Sequence, residues 1–517
     1  MRYRSLSAPS TFSLLACASL LAGCPTRGAL EPIGDDGGPT PDDRTSPPGD
    51  TPGRDVPNPV DVPQVQPCAA PTPPTRTDPC TGNPSCGLLL RATVTVSGAR
   101  SALTDFQVQV TLPATVRAAA GANCERLVFR AANNQWAPHF VTNCAMGTVW
   151  VRVPSLAANT PTTLTLHYGG ATNPATATGS YDDTFDRVPT RAANLLAAYT
   201  FDEGRGTRTC PAGGTTNLPF TAFIHQTPYD DMQTDVTTRP PLWSDEGPPS
   251  VLAPTARFTR NQSSLNFPRH PVTPASGVMS PNRLVNWRSP GPAPFNTATR
   301  QLTVGVWVYA ETPANAFGDN FQTVVCYGMP DQPARQAVLP DAQVVDNAIF
   351  NPWAIFFRSD DQDTTLYQGN TCVEPCTNVI QYAHITTRDP LPSTQFARRW
   401  HFMAFTVDTT TRPHTTRRSF LNERSYEFPR DLDLFPVETN CPLGSGMCAW
   451  PPEAPIMYYP APVVIGADLN DGEAQLGLEG KVDDFFVINR AISPAEMQAY
   501  RERRQYSADP ITATVTP

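Results

Sequence analysis

The 517-residue chain carries 58 prolines, and no other feature narrows its fold as far. Proline removes a backbone donor and fixes φ, so it breaks helix interiors and stays out of central strands. A chain punctuated this often is not built from long helices. Short strands joined by elaborate loops are what remains, in two or three domains at this length. The formal net charge of −9 excludes a nucleic-acid partner, because phosphate contact needs clustered cations. Lys481 is the single lysine among 38 cations, an arginine bias with no functional weight. The 13 cysteines show no CxxC pair with matching His spacing, so they point to disulfides in an oxidising compartment.

The N-terminus opens with the basic Met1-Arg2-Tyr3-Arg4 and an apolar run over 11–22, short for a membrane span and right for a signal sequence. It ends in Leu21-Ala22-Gly23-Cys24, which resembles the lipobox of bacterial lipoproteins; the earlier Cys17 is a weaker competitor. The resemblance implies residues 1–23 as a removed signal peptide, Cys24 as the acylated residue and the membrane as a partner through the lipid. Several acyl chains on one residue suffice for stable anchoring. Pro25 follows where an aspartate would signal inner-membrane retention in enteric bacteria, which favours the outer membrane, on its periplasmic face or at the cell surface. Residues 24–86 are rich in Pro, Asp, Gly and Thr and poor in aromatics, a composition that does not fold and reads as a tether. Its first ~40 residues would reach about 35 Å as a coil and about 130 Å as polyproline. Cys68, Cys80 and Cys86 are expected to staple the tether to the folded part, in a pairing the spacing leaves open.

From Gly87 the pattern turns to strands. Leu88 to Val96, Phe106 to Leu112, Leu127 to Phe129, Thr148 to Val153 and Thr163 to Tyr168 follow at regular spacing and predict a small antiparallel β domain over 87–180. Leu127-Val128-Phe129-Arg130, Trp136-Ala137-Pro138-His139-Phe140, Val149-Trp150-Val151-Arg152-Val153-Pro154 and Leu166-His167-Tyr168-Gly169-Gly170 resemble the bacterial family catalogued as domain of unknown function 2341. Cys124 and Cys144 are expected to cross-link neighbouring strands, closing a loop of about 20 residues for roughly 3 kcal/mol.

A polar junction over 180–190 precedes the second domain, expected over 190–505, with 506–517 as a tail. Leu195 to Gly204 (LLAAYTFDEG), Gln301 to Tyr309 (QLTVGVWVY), Trp400 to Asp408 (WHFMAFTVD) and Val464 to Arg501 resemble the ordered strands of laminin-G-like jelly rolls of the concanavalin A-like superfamily. The fold class is therefore all-β: a small antiparallel domain followed by a two-sheet jelly-roll sandwich with long loops over 213–249, 269–294, 310–351 and 437–460. The last stretch contains a short apolar strand ending at Gly466, read as one arm of a hairpin with the strand after Gly480. It then contains Ser493-Pro494-Ala495-Glu496, an N-cap, a proline at the first helical position and a capping-box glutamate.

The laminin-G-like resemblance implies calcium between the end of the opening strand and the penultimate strand, at Asp202, the backbone of Glu203 and Gly204, and Asp483, in keeping with calcium's preference for carboxylate and carbonyl oxygen. Acids that flank turns for solvation alone are the bland alternative. Asp468-Leu469-Asn470-Asp471-Gly472 resembles a helix-loop-helix calcium loop but is one residue short. Trp450, Tyr458 and Tyr459 follow the Cys441, Cys448 pair among prolines and form a candidate loop for stacking on sugars or anchoring a protein. Packing against the sandwich edge is the competing reading. Cys372 and Cys376 are expected to pin another turn, Cys326 to be a free buried thiol, and Cys210 is unassigned. Trp307, Trp353 and Trp400 are expected in the core. No E-x-D-x-E run, GxSxG elbow, HExxH helix or P-loop occurs, so no catalytic residues are assigned. The expected role is non-catalytic binding of a glycan or extracellular protein at the envelope. A structural spacer and a carbohydrate-active enzyme with an unrecognised site are the alternatives.

Overall fold

The computed structural model describes residues 76–80, 82–170, 179–205, 208–212, 222–225, 242–256, 258, 263–267, 284–286, 301–311, 321–327, 354–358, 365–368, 383–386, 397–408, 410, 416–427, 463–466, 468–470, 473–475 and 478–517. The expected signal peptide, Cys24, the tether to residue 75, Cys68, Trp353, Cys372, Cys376, Cys441, Cys448, Trp450, Tyr458 and Tyr459 lie outside them.

The first sandwich uses the strands the alternation predicts: β1 (Leu90–Ser97), β2 (Leu103–Thr111), β3 (Leu127–Arg130), β4 (Trp136–Ala137), β5 (His139–Asn143), β6 (Thr148–Leu156) and β7 (Thr162–Tyr168), with helix α1 (Ala114–Ala120) after β2. Strands β1, β7, β3 and β4 make one sheet and β2, β6 and β5 the other. Val94, Val96, Val108, Val110, Phe129, Val151 and Leu166 close the core between them. The pleat puts every second side chain on that inner face. Cys124 and Cys144 are bonded, but they tie the turn after α1 to the β5–β6 turn and do not join neighbouring strands. Cys80 pairs with Cys86. Arg130, 1% exposed, grips the same collar through Asp78 Oδ2 at 2.5 Å and Oδ1 at 3.0 Å and the Pro84 carbonyl at 2.8 Å.

The second sandwich contains β8 (Leu195–Tyr199), β9 (Arg208–Thr209), β10 (Ala222–His225), β11 (Leu242–Ser244), β12 (Ser264–Phe267), β13 (Leu284–Asn286), β14 (Gln301–Ala310), β15 (Phe321–Tyr327), β16 (Ala354–Arg358), β17 (Thr365–Gln368), β18 (Ala383–Thr386), β19 (Trp400–Asp408), β20 (Thr416–Leu421), β21 (Arg424–Glu427), β22 (Val463–Ile465), β23 (Asp468–Asn470), β24 (Glu473–Gln475) and β25 (Gly480–Ile488). One sheet runs β18-β17-β16-β15-β22-β13-β10-β9, the other β11-β12-β25-β14-β19-β20-β21 with β8 also on β25. Two of the stretches expected as loops thus contain strands β10, β11 and β13. Strands of three or four residues between prolines carry too few positions for a period to show.

Strand β22 does not form a hairpin with β25, because the two lie in opposite sheets; the hairpin is β23 with β24, on either side of Asp471-Gly472. Strands β14, β19 and β25 are buried almost throughout, since both of their faces are covered. Val304, Phe405 and Phe485 face the sandwich core, while Trp307, Phe402 and Phe486 meet Val188, Met497 and Tyr500 on the other side. This places Trp307 on the second face, with Trp400 partly buried beside it. Gly305 is required there, because a Cβ would lie 2.3 Å from the Phe486 ring.

Helix α2 (Tyr181–Thr184) is capped by Ser180, whose Oγ accepts from Asp183 N at 3.2 Å. Helix α3 (Pro494–Arg501) follows its predicted start, Ser493 Oγ accepting from Glu496 N at 3.2 Å. Only half of the capping box forms. The Glu496 carboxylate accepts instead from Arg490 Nη1 at 2.8 Å and from Tyr500. Residues 506–517, expected as a tail, contain β26 (Thr512–Thr516), which returns to the first sandwich and pairs with β1 from Thr93↔Thr516 to Ser97↔Thr512. Among the described residues no helix is long and apolar enough to cross a membrane.

Candidate functional site

Strand β25 carries a bulge on one edge and a gap on the other, and together they make the site. Along one side it pairs with β14 from Gly480 to Ile488. Along the other, β12 covers Lys481 and Val482, and β8 resumes at Phe485↔Tyr199. Asp483 and Asp484 fall in the gap. The β14 register skips one residue at the same place, two steps from Gly305 to Trp307 facing three from Phe486 to Asp483. Asp484 takes φ 49°. In a regular strand adjacent side chains point to opposite faces. The bulge with its left-handed residue breaks that alternation, so both carboxylates reach one partner.

That partner is Arg187, from the junction after α2. Its Nη1 donates to Asp202 Oδ1 at 2.8 Å, Nη2 to Asp483 Oδ2 at 3.0 Å and Nε to Asp484 Oδ1 at 3.2 Å. Arg503, just past α3, adds a second cation, Nη2 lying 2.8 Å from Asp484 Oδ2. Both guanidiniums lie over the Phe258 ring, that of Arg187 5.0 Å and that of Arg503 4.8 Å from its centroid. Asp202 reaches the gap because Phe201, wholly buried, turns the chain at φ 49°. Left-handed non-glycine residues cost of order 1–3 kcal/mol each and persist where the surroundings over-determine them. Two of them flank this cluster.

Three carboxylates against two guanidiniums leave one negative charge in excess. Burial, followed by the charge of Asp484, pushes the Asp483 carboxyl well above the usual range. Burial likewise raises Asp202 to about 7, with Arg187 opposing and Asp484 reinforcing. Glu203 is turned away from the gap: its carboxylate accepts from Cys210 N at 2.7 Å and Thr209 Oγ1 at 3.0 Å, and burial raises it too. Gly204 has φ +62°, and a Cβ there would lie 2.6 Å from Ser263 Oγ. The four residues named for calcium are therefore close in the fold. Asp202 and Asp483 share a guanidinium, and Glu203 serves a neighbouring strand.

Local sequence marks neither Arg187 nor Arg503 as functional, nor Asp484 beyond its place beside Asp483. The one visible signal was the doubled aspartate at 483–484. The expected polar junction is largely buried: Tyr181, Phe185 and Phe258 form an aromatic cluster with Trp150. Next to it Arg152, 1% exposed, pairs with Asp186 at 2.9 Å, and Gln107 Nε2 donates to Asp186 Oδ2 at 3.1 Å. Burial in the first sandwich lowers His139 to about 4, and neither of its ring nitrogens has a hydrogen-bond partner.

The family described as a domain of unknown function, DUF2341, matches residues 126–208, from β3 through the junction to just beyond Asp202 and Glu203. No curated protein sequence matches the chain. Among solved structures, domain 4 of AbnA, a GH43 extracellular arabinanase from Geobacillus stearothermophilus solved with arabinotriose, is similar at TM-score 0.32 and 13% identity, covering 60% of this chain and 99% of that one. The receptor-binding domain of botulinum neurotoxin type G gives TM-score 0.29 and 8% identity over 60% of this chain and 51% of that chain, so the match spans about half of the toxin domain. The CBM40 of a Ruminococcus gnavus IT-sialidase, bound to α2,3-sialyllactose, gives TM-score 0.25 and 10% identity over 39% and 82% of the two chains. Likeness at these values carries no weight for the ligand. The all-β assignment rests on the strand pairing itself.

Proposed function

We propose that the protein is a lipid-anchored bacterial envelope protein, held by Cys24, that presents a non-catalytic ligand-binding jelly roll beyond a proline-rich tether. The observation that carries the anchoring is the Leu21-Ala22-Gly23-Cys24 sequence at the end of an apolar run behind a basic start. What supports a binding role over catalysis is the way the raised carboxyls are used. Asp202 and Asp483 are held by Arg187, and Glu203 by Thr209 and Cys210. General acid–base work needs such groups within reach of a substrate. Here they lock strands together. The proposed ligand is a glycan or an extracellular protein, engaged through Trp450, Tyr458 and Tyr459.

The test has two arms. Mass spectrometry of the membrane-extracted protein is expected to find acyl chains on Cys24, and Cys24→Ala to leave an unlipidated, unanchored chain. On a glycan array the full protein is expected to bind a defined set of sugars that Trp450→Ala no longer binds. Lipidation without any glycan or protein ligand would favour the second reading, a rigid spacer, for which the strand pairing of β26 across the chain is the favouring observation.

A further inference from the structure

We infer that Arg187 is the resident cation of the jelly roll's opening-strand site, a guanidinium delivered by the interdomain junction to the position where the laminin-G-like resemblance places calcium. Three observations carry this. Each of three guanidinium nitrogens meets a different carboxylate, Asp202, Asp483 and Asp484, at 2.8 to 3.2 Å, so every nitrogen of the fork is engaged. The Glu203 carboxylate is spent on Thr209 and Cys210, so it adds no further carboxylate at the guanidinium to draw an ion in. Phe258 packs against Arg187 and Arg503 together, so the site is built around planar cations that share an apolar ring.

The residues as arranged do not fit calcium. That ion gathers six to eight oxygens at about 2.3–2.6 Å, whereas these oxygens stand apart by the width of a guanidinium. An ion could enter only by displacing Arg187. Arginine suits a buried ion pair because it is always charged, weakly hydrated and rigid in its fork. A site closed by Arg187 also makes completion of the jelly roll depend on the junction, because Arg187 belongs to no strand of that sandwich.

The experiment is thermal unfolding of the purified full chain in millimolar calcium and in chelator, with terbium luminescence as a direct probe of the site. The wild-type midpoint is expected to be the same in both conditions, and terbium to show no saturable one-to-one binding. A calcium-dependent rise, or saturable terbium binding, that Asp483→Asn abolishes would overturn the inference. Arg187→Ala is expected to lower the midpoint in chelator by about 5 °C and to recover part of that loss in calcium, the freed carboxylates now taking the ion. Arg187→Lys, which keeps the charge, is expected to stay insensitive to calcium. A folded Arg187→Ala protein with no calcium response would overturn the equivalence of the two cations. Should that variant fail to fold, the wild-type calcium and terbium measurements still decide.

Discussion

The two sandwiches of this chain handle buried charge in opposite ways. In the first, charged side chains are buried singly and each reaches toward a more exposed partner: Arg130 pairs with Asp78, whose side chain is 37% exposed, and Arg152 with Asp186 at 19%. In the second, Arg503, Asp483 and Asp484 are buried together, with Asp483 wholly enclosed, and the partly buried Arg187 and Asp202 close the cluster from its rim. A pair with one solvated end can lose a partner and let water in. A cluster gathered around a wholly enclosed carboxylate cannot do so at Asp483, so its members depend on one another. The first sandwich makes up the difference with covalent and borrowed elements: two disulfides and a strand, β26, from the far end of the chain.

The sharpest way to break this comparison is to remove one arginine from each side. Arg187→Ala strands buried carboxylates and is expected to lower stability by about 3–5 kcal/mol, while Arg130→Ala leaves an Asp78 that water can reach and is expected to lose about 2 kcal/mol. Urea midpoints of the two variants check it; equal losses would erase the distinction. Asp483→Asn is expected to cost less than Arg187→Ala, because it removes the cluster's excess negative charge.

Replacing Cys124 and Cys144 together by serine is expected to remove roughly 3 kcal/mol from the first sandwich. Hydrogen exchange should quicken over α1 and the β5–β6 turn and leave β14 and β25 unchanged. Deleting residues 511–517 removes the β1 pairing and the partly buried Ile511, Ala513 and Val515, an expected loss of about 2 kcal/mol. Faster exchange confined to β1 and its neighbours would confirm β26 as part of that sheet, and unchanged exchange would restore it to the status of a tail.

The smallest effect is the most diagnostic, because its sign differs between the two regions. His139, held neutral by burial with a folded value of about 4, contributes stability present above its unfolded value near 6.5 and lost as pH falls toward 4. Asp202, raised by burial to about 7, contributes stability present below its unfolded value near 3.8 and lost as pH rises toward 7. Between pH 6.5 and 4 the first sandwich is therefore expected to weaken on acidification while the carboxylate cluster tightens. The change is at most about 1.4 kcal/mol per pH unit for each proton. Segment-resolved hydrogen exchange at pH 5 and 6.5 reads both slopes. His139→Leu should flatten the first and Asp202→Asn the second.

Much of the fold was legible because its signals are local. Alternation over Phe106–Leu112 and Thr148–Val153 fixes which faces meet, Ser493-Pro494 starts a helix wherever it stands, and apolar runs such as Val304–Val308 mark strands covered on both faces. Asp202 and Asp483 were also legible as neighbours, through the strand order their surroundings resemble. What they bind was not. Arg187 lies 296 residues from Asp483 and 297 from Asp484, in a junction whose composition reads as solvated. The shared orientation of Asp483 and Asp484 depends on a bulge against β14, opposite the gap where β12 ends and β8 resumes beside β25. The pairing of Ser97 with Thr512 spans 415 residues. Short-range chemistry thus determines strands, turns and caps, since neighbouring residues are always within reach of one another. Which cation enters the gap, and which strand closes the first sheet, is decided only when the fold brings distant segments into the same few ångströms and excludes the water that would otherwise have served each of them.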